Sequence, residues 1–170
     1  MLFVCPKCKR KLNRDNSRAV CESGHSFDIS KEGYVNLLIG RGGLHGDNAE
    51  MVLARRAFLS AGYYEPLAMR IGELVSGYAT AGLAVVDAGC GEGYYTEIVN
   101  RMLAERFFNS DTKAPLYGFD ISKDAVKRAS KRGCGEGFAV ASSYAMPFAD
   151  IDAIFYGVAF RFDQLSFPVR

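Results

Sequence analysis

From Leu83 to Ala88 the chain is apolar with no polar alternation until Asp87, the pattern of a strand buried on both faces. A helix is predicted from about Tyr95 to Ala104, then a second strand over Leu116–Phe119 that ends at Asp120. Ser122 is placed to cap a helix of Lys123–Lys131, and Gly133 to close it. Phe138–Ala141 and Ala153–Tyr156 read as third and fourth strands. Strands and helices in alternation point to parallel βαβ units. Upstream, residues 49–78 read as helical. Asp47 with Glu50 forms a capping-box variant, and Met51, Ala54, Phe58 and Ala61 recur at helical spacing. Gly62 interrupts, and Pro66 restarts a second helix through Leu74. Residues 39–48 hold four glycines and read as a linker. Residues 1–38 are short of any helical period. The division is therefore 1–38, a linker at 39–48, a helical segment at 49–78 and an α/β region at 79–170.

Composition adds limits. A chain of 170 residues allows one ordinary α/β domain with a small appendage. At 49% hydrophobic and 24% charged it belongs with soluble globular proteins, neither disordered nor fibrous. No apolar run approaches the roughly 18 residues of a spanning helix, and the start lacks the pattern of a signal peptide. A cytoplasmic protein is the expectation. The 21 Lys and Arg nearly balance the 19 Asp and Glu, which names no partner. The distribution is more telling: residues 1–20 hold Lys7, Lys9, Arg10, Lys11, Arg14 and Arg18 against Asp15 alone.

Three of the five cysteines also fall in this basic segment. Cys5 and Cys8 form a C-x-x-C pair, followed by Cys21 and His25 as C-x-x-x-H. Two close pairs let four ligands converge on one tetrahedral ion, with a short hairpin between them. Pro6 stiffens the first knuckle and Gly24 supplies a turn before His25. In a reducing compartment such clustering favours metal over disulfide. With four protein ligands no position is left for water, so a Zn²⁺ here would be structural. Fewer than 40 residues bury little core of their own, so metal binding is expected to supply most of this segment's folding free energy. The plainer alternatives are free thiols beside a surface histidine, and a solvated charged face in place of a phosphate-binding one.

Asp87-Ala-Gly89-Cys90-Gly91-Glu92-Gly93 places three alternating glycines directly after a strand and before a helix. Glycine lets the backbone take positive φ and pass close to a ligand. The spacing differs from the dinucleotide fingerprint, and an acidic residue ahead of the first glycine would repel a pyrophosphate. It suits a cation. S-adenosylmethionine carries an ammonium and a sulfonium, and its methionine end sits over this turn in methyltransferases. Asp120 at the end of the next strand can accept from both ribose hydroxyls, or can simply cap the following helix. Residues 141–148 are an expected place for contacts to an adenine ring. For Met146 and Phe148 a core role is as fitting as an adenine contact. Cys90 lies between turn glycines, with both histidines before residue 46, so it is read as a small buried thiol and not a nucleophile. Cys134 likewise has no partner.

These residues together resemble the bacterial 23S ribosomal RNA methyltransferases that act on guanine ring nitrogen 1. The resemblance covers roughly residues 1–150. It rests on the Cys5, Cys8, Cys21 and His25 set, and on Phe27-Asp-Ile-Ser-Lys-Glu-Gly-Tyr-Val-Asn-Leu-Leu38. Further matches are Ala54-Arg-Arg-Ala-Phe-Leu59, Gly62-Tyr-Tyr-Glu-Pro-Leu67, Asp87 to Thr96, and Phe119-Asp-Ile-Ser-Lys123. It implies an α/β fold: a partial, Rossmann-like class I methyltransferase sheet of about four parallel strands, with a small N-terminal zinc-binding module. The implied cofactors are S-adenosyl-L-methionine and a structural Zn²⁺ on Cys5, Cys8, Cys21 and His25. By the same resemblance Tyr64 and the Gly91–Glu92 turn contact the cofactor, alongside Asp87, Gly89, Gly93 and Asp120. The partner implied is a 23S rRNA hairpin, not DNA or a membrane, and a homodimer is admitted.

The chain departs from that family after about Asp152. The family's proline-containing turn beside the methyl-transfer centre is missing, and the family sequence continues beyond this ending. The expectation is a C-terminally truncated or frameshifted member, with its fourth strand as an unpaired apolar edge. The reaction implied is direct displacement, in which the guanine nitrogen attacks the sulfonium methyl and the protein supplies alignment and exclusion of water. No catalytic base is assigned. Two other readings stand beside it: a non-catalytic zinc module that binds RNA or protein, and a nicotinamide oxidoreductase, against which Asp87 argues.

Overall fold

The computed structural model describes residues 1–40, 46–149 and 153–157. The centre of the expected linker, 41–45, and the stretch 158–170 lie outside the described residues, as do 150–152. In chain order, β1 (Leu12–Asp15), β2 (Arg18–Cys21) and β3 (Ser26–Asp28) make a small antiparallel sheet, followed by β4 (Val35–Asn36). Helices α1 (Ala49–Ser60) and α2 (Glu65–Tyr78) lead into β5 (Ala84–Ala88), α3 (Tyr94–Arg106) and β6 (Leu116–Asp120). Helix α4 (Lys123–Arg132), β7 (Gly137–Val140), a 3-10 turn at Ser143–Ala145 and β8 (Ala153–Tyr156) complete it. Among the described residues no helix is long and apolar enough to cross a membrane.

The larger sheet has the order β4-β7-β6-β5-β8, and every pairing in it is parallel. The four strands expected from the C-terminal part are all present. A fifth is added: β4 lies along β7, with Val35 opposite Ala139 and Asn36 opposite Val140. Two residues are too few to show a period, so the hydrophobic pattern could not reveal this strand. From β5 the chain adds β6 and β7 on one side, then returns to place β8 on the other. The order therefore reverses at β5. Parallel α/β sheets bind ligands at the carboxyl ends of strands beside such a reversal.

Two different layers cover the sheet. On one face Val85 and Leu116 pack with Val75, Val99 and Leu103 of α2 and α3, while Phe138 and Val140 pack with Val126 and Ala129 of α4. Gly72 lets α2 and α3 approach closely, since a Cβ there would lie 2.4 Å from the Met102 sulfur. The other face is covered by the N-terminal segment. Phe3, Leu12, Ala19 and Cys21 share one core with Val86, Phe119, Ala139 and Phe148. Phe3 is 2% exposed, with its ring 5.6 Å from that of Tyr117 and 5.4 Å from that of Phe148. The expectation that this segment buries little core is corrected here, because it borrows the sheet's face as its second layer.

Helix boundaries follow local chemistry. Helix α4 has the Ser122 hydroxyl accepting from the Ala125 N–H at 3.2 Å, and it closes on Gly133 at φ +66°. Helix α1 corrects two expectations. Its cap is Asn48, whose side chain accepts from the Met51 N–H at 3.0 Å, while Asp47 pairs with Arg55 at 2.9 Å. Its buried residues are Val52 and Leu59, with Met51 and Phe58 about half exposed. Residues 51–54 and 57–59 are apolar without a break, so periodicity alone cannot select a face.

Candidate functional site

The hairpin of β1 and β2 brings its two ends together. There the ligand atoms of Cys5, Cys8, Cys21 and His25 all lie within 4.8 Å of one another. The Cys8 and Cys21 sulfurs are 3.6 Å apart, and His25 Nδ1 is 3.5 Å from the sulfurs of both Cys5 and Cys21. Around a tetrahedral zinc with ordinary bond lengths, two thiolates stand about 3.8 Å apart and a thiolate and imidazole about 3.6 Å. The donor set fits the ion in chemistry and in spacing. Gly24, at φ +78°, makes the turn that brings His25 round, with its N–H donating to the Cys21 carbonyl. The Cys8 thiol is drawn down to about 6, chiefly by the Arg10 N–H directed at its sulfur. Burial pushes the Cys5 thiol up.

The glycine turn leaves the carboxyl end of β5. Gly89, Gly91 and Gly93 have φ of +84°, +54° and +88°, all in the left-handed region. They serve different ends. A Cβ on Gly89 or Gly91 would meet nothing within 4 Å, whereas one on Gly93 would lie 3.1 Å from the Ala129 Cα. Space above the turn is thus open at its first two glycines, and its third lets α3 start against α4.

Asp87 is 2% exposed and accepts from the Thr96 hydroxyl at 2.6 Å and the Tyr156 hydroxyl at 3.0 Å. Both bonds end on Oδ2, so among the described residues Oδ1 carries no hydrogen bond from the protein. Burial pushes this carboxyl up to about 6, and the nearby Asp120 charge adds to the rise. Asp120 ends β6 as expected. Its Oδ2 accepts from the Gly91 N–H at 3.0 Å and its Oδ1 from the Ser122 N–H at 2.8 Å. An ionised carboxylate has about four acceptor positions, so capacity remains on both oxygens. The two carboxylates therefore flank one turn, and Asp120 ties that turn to the neighbouring strand.

The remaining expected residues have the following surroundings. Tyr64 stands at the start of α2, its ring 5.5 Å from that of Phe58 and packed beside Leu59 and Tyr95. The Glu92 side chain is 3% exposed and turns to Arg132, whose guanidinium reaches both its oxygens at 2.8 Å. Cys90 is buried among Tyr34, Phe138 and Val140, where burial and the Asp87 and Asp120 charges push its thiol well above the ordinary range. Cys134 is buried in the same cluster and pushed up to about 11. Phe148 belongs to the core under the N-terminal segment, and Met146 is half exposed.

Residue spacing does not reveal Thr96 and Tyr156 as partners of Asp87, or Arg132 and Arg56 as partners of Glu92. Hydroxyls and guanidiniums of this kind occur throughout the chain with no spacing that marks them. Only the fold brings them in.

Residues 3–39 match the family described as RlmA, N-terminal, and residues 79–163, half of the chain, match the methyltransferase domain family. A 23S rRNA (guanine(748)-N(1))-methyltransferase of Streptomyces fradiae is 39% identical over 129 residues, covering 75% of this chain and 43% of that protein. A Micromonospora griseorubida protein named for 23S rRNA (guanine-N(1)-)-methyltransferase activity is 35% identical over 165 residues, covering 86% and 53%. YxjB of Bacillus subtilis (strain 168), which carries the same name, is 33% identical over 156 residues, covering 88% and 52%. The chain spans about half the length of the curated relatives it matches. It belongs to the methyltransferase domain family, and ahead of that domain it carries an N-terminal segment of the RlmA type.

Proposed function

We propose that this chain is the cofactor-binding part of an S-adenosylmethionine-dependent methyltransferase that modifies a guanine ring nitrogen of 23S ribosomal RNA in the cytoplasm. The observation that carries the reading is the turn from Gly89 to Gly93. It lies at the reversal point of a parallel sheet, is open above its first two glycines, and stands between the carboxylates of Asp87 and Asp120. The cofactor supplies an electrophilic methyl group on its sulfonium. Asp87 offers Oδ1 to the cofactor's ammonium, and Asp120 accepts from its ribose hydroxyls while holding the turn through Gly91. The Cys5, Cys8, Cys21 and His25 set holds a structural zinc that closes the β1–β2 hairpin. Lys7, Lys9 and Lys11 are exposed beside that hairpin and supply phosphate contacts to an RNA hairpin, whereas Arg10 and Arg18 are already in surface ion pairs with Glu22 and Asp28. The chain's contribution to transfer is alignment and exclusion of water.

Calorimetric titration of S-adenosylmethionine into the zinc-loaded chain tests this. Saturable binding is expected, weakened about tenfold or more by Asp120→Ala, the scale of a lost hydrogen bond to a charged group. Failure of a folded, zinc-containing chain to bind would overturn the reading and leave a zinc module that binds RNA or protein. Transfer of a labelled methyl to 23S rRNA then tests the substrate.

A further inference from the structure

Glu92 lies inside the glycine turn, yet its carboxylate is 3% exposed and makes no use of the open space above Gly91. A buried carboxylate needs a partner, and here one side chain does nearly all of that work. Arg132, in the last turn of α4, donates from Nη2 to both Glu92 oxygens at 2.8 Å, and from Nε to the Glu92 main-chain carbonyl at 2.9 Å. Its Nη1 binds Glu97 in the first turn of α3. Arg56 of α1 stands 3.8 Å from Glu92, a looser second contact. The turn is thus gripped from two sides: Asp120 takes the Gly91 N–H, and Arg132 takes the next residue by side chain and backbone together. Two of the three guanidinium nitrogens, Nε and Nη2, are spent on Glu92, an arrangement that the single ammonium of a lysine cannot reproduce.

We propose that Arg132 is a positioning residue for the cofactor: it fixes the Gly91–Gly93 turn in the shape that receives the amino-acid end of S-adenosylmethionine, without touching the cofactor. The inference rests on the reading given above. It has a consequence that simple support of the fold does not. The adenosine end is placed by Asp120 and the strand ends, so loosening the turn weakens only ligands that carry the amino-acid end.

The test compares S-adenosylmethionine with 5′-methylthioadenosine, which lacks that end, by calorimetry on zinc-loaded wild type and Arg132→Lys. S-adenosylmethionine affinity is expected to fall about tenfold, the size of one coupled interaction, with methylthioadenosine affinity unchanged. If Arg132→Lys folds poorly, Glu92→Leu combined with Arg132→Met removes both charges and leaves neither buried alone. That pair is expected to restore the thermal midpoint while the selective loss persists. Equal loss of both ligands, or loss of neither, overturns the assignment of Arg132. Absence of S-adenosylmethionine binding by the wild type overturns the cofactor reading itself, and this proposal with it.

Discussion

Asp87 illustrates how much one buried side chain can carry. Burial lifts its carboxyl from the usual 3.8 to about 6, so the folded chain holds this proton more tightly than the unfolded chain does. Its charged form is a cost to stability that sets in as pH rises from about 4 through 6, and is absent below that window. Cofactor binding has the opposite sign, because an ammonium needs the carboxylate. S-adenosylmethionine affinity is therefore expected to fall as pH drops from 7 through 6, by up to about tenfold per unit below 6. The same titration on Asp87→Asn, weaker throughout, should lack this component. Parallel profiles for the two proteins would show that Asp87 is not the group responsible. The acidic residue before the glycines was legible in the sequence. Its two hydroxyl partners were not, since Thr96 and Tyr156 reach it from another helix and another strand.

At the scale of elements, the glycine turn joins two demands that one motif cannot distinguish. All three glycines need positive φ, which costs other residues about 1–2 kcal/mol each. Only Gly93 also lacks room, with Ala129 3.1 Å from where its Cβ would be. Gly93→Ala is expected to destabilise the protein by more than about 2 kcal/mol, through strain and the forced separation of α3 and α4. Gly91→Ala is expected to cost about 1 kcal/mol of stability, and to act mainly on cofactor affinity by filling the space above the turn. Thermal unfolding and calorimetry on the two variants check this contrast, and equal destabilisation would contradict it. The alternating glycines, the strand before them and the helix after them could all be read from residue pattern. Which glycine faces open space could not, because that depends on how α4 returns across the sheet. Helix α1 shows the same limit: a helix was evident from 49 onward, but nearly every side of its first turns is apolar, and packing chose Val52 and Leu59.

At the scale of the whole molecule, the N-terminal segment is one layer of the larger domain. Its β4 extends the parallel sheet, Val4 donates to the Pro147 carbonyl at 2.9 Å, and Leu37 to the Val140 carbonyl at 2.9 Å. Cys5 adjoins Val4, so a candidate metal ligand lies one residue from a contact to the loop after β7. Unfolding is therefore expected to be a single calorimetric transition in the zinc-loaded protein. Removing the metal with a chelator should lower its midpoint and increase amide exchange at Val4 and Leu37. Two transitions, with only the smaller one sensitive to chelator, would show independent units. Phe3→Ala should keep the four ligands and still cost about 3–5 kcal/mol, the range for a buried phenylalanine.

Residue order carries the local chemistry: two pairs of candidate metal ligands, a glycine turn between strand and helix, carboxylates at two strand ends, and the alternation that makes a parallel sheet. Each of these is written in spacings of a few residues, where backbone geometry and ligand number act directly. The folded chain settled what stands against what. It set the N-terminal segment on the sheet face through Phe3, turned Glu92 away from the turn's open side toward Arg132, and gave Asp87 its hydroxyl partners. Those contacts join residues far apart in the chain, and burial, which no short window records, is what makes them strong.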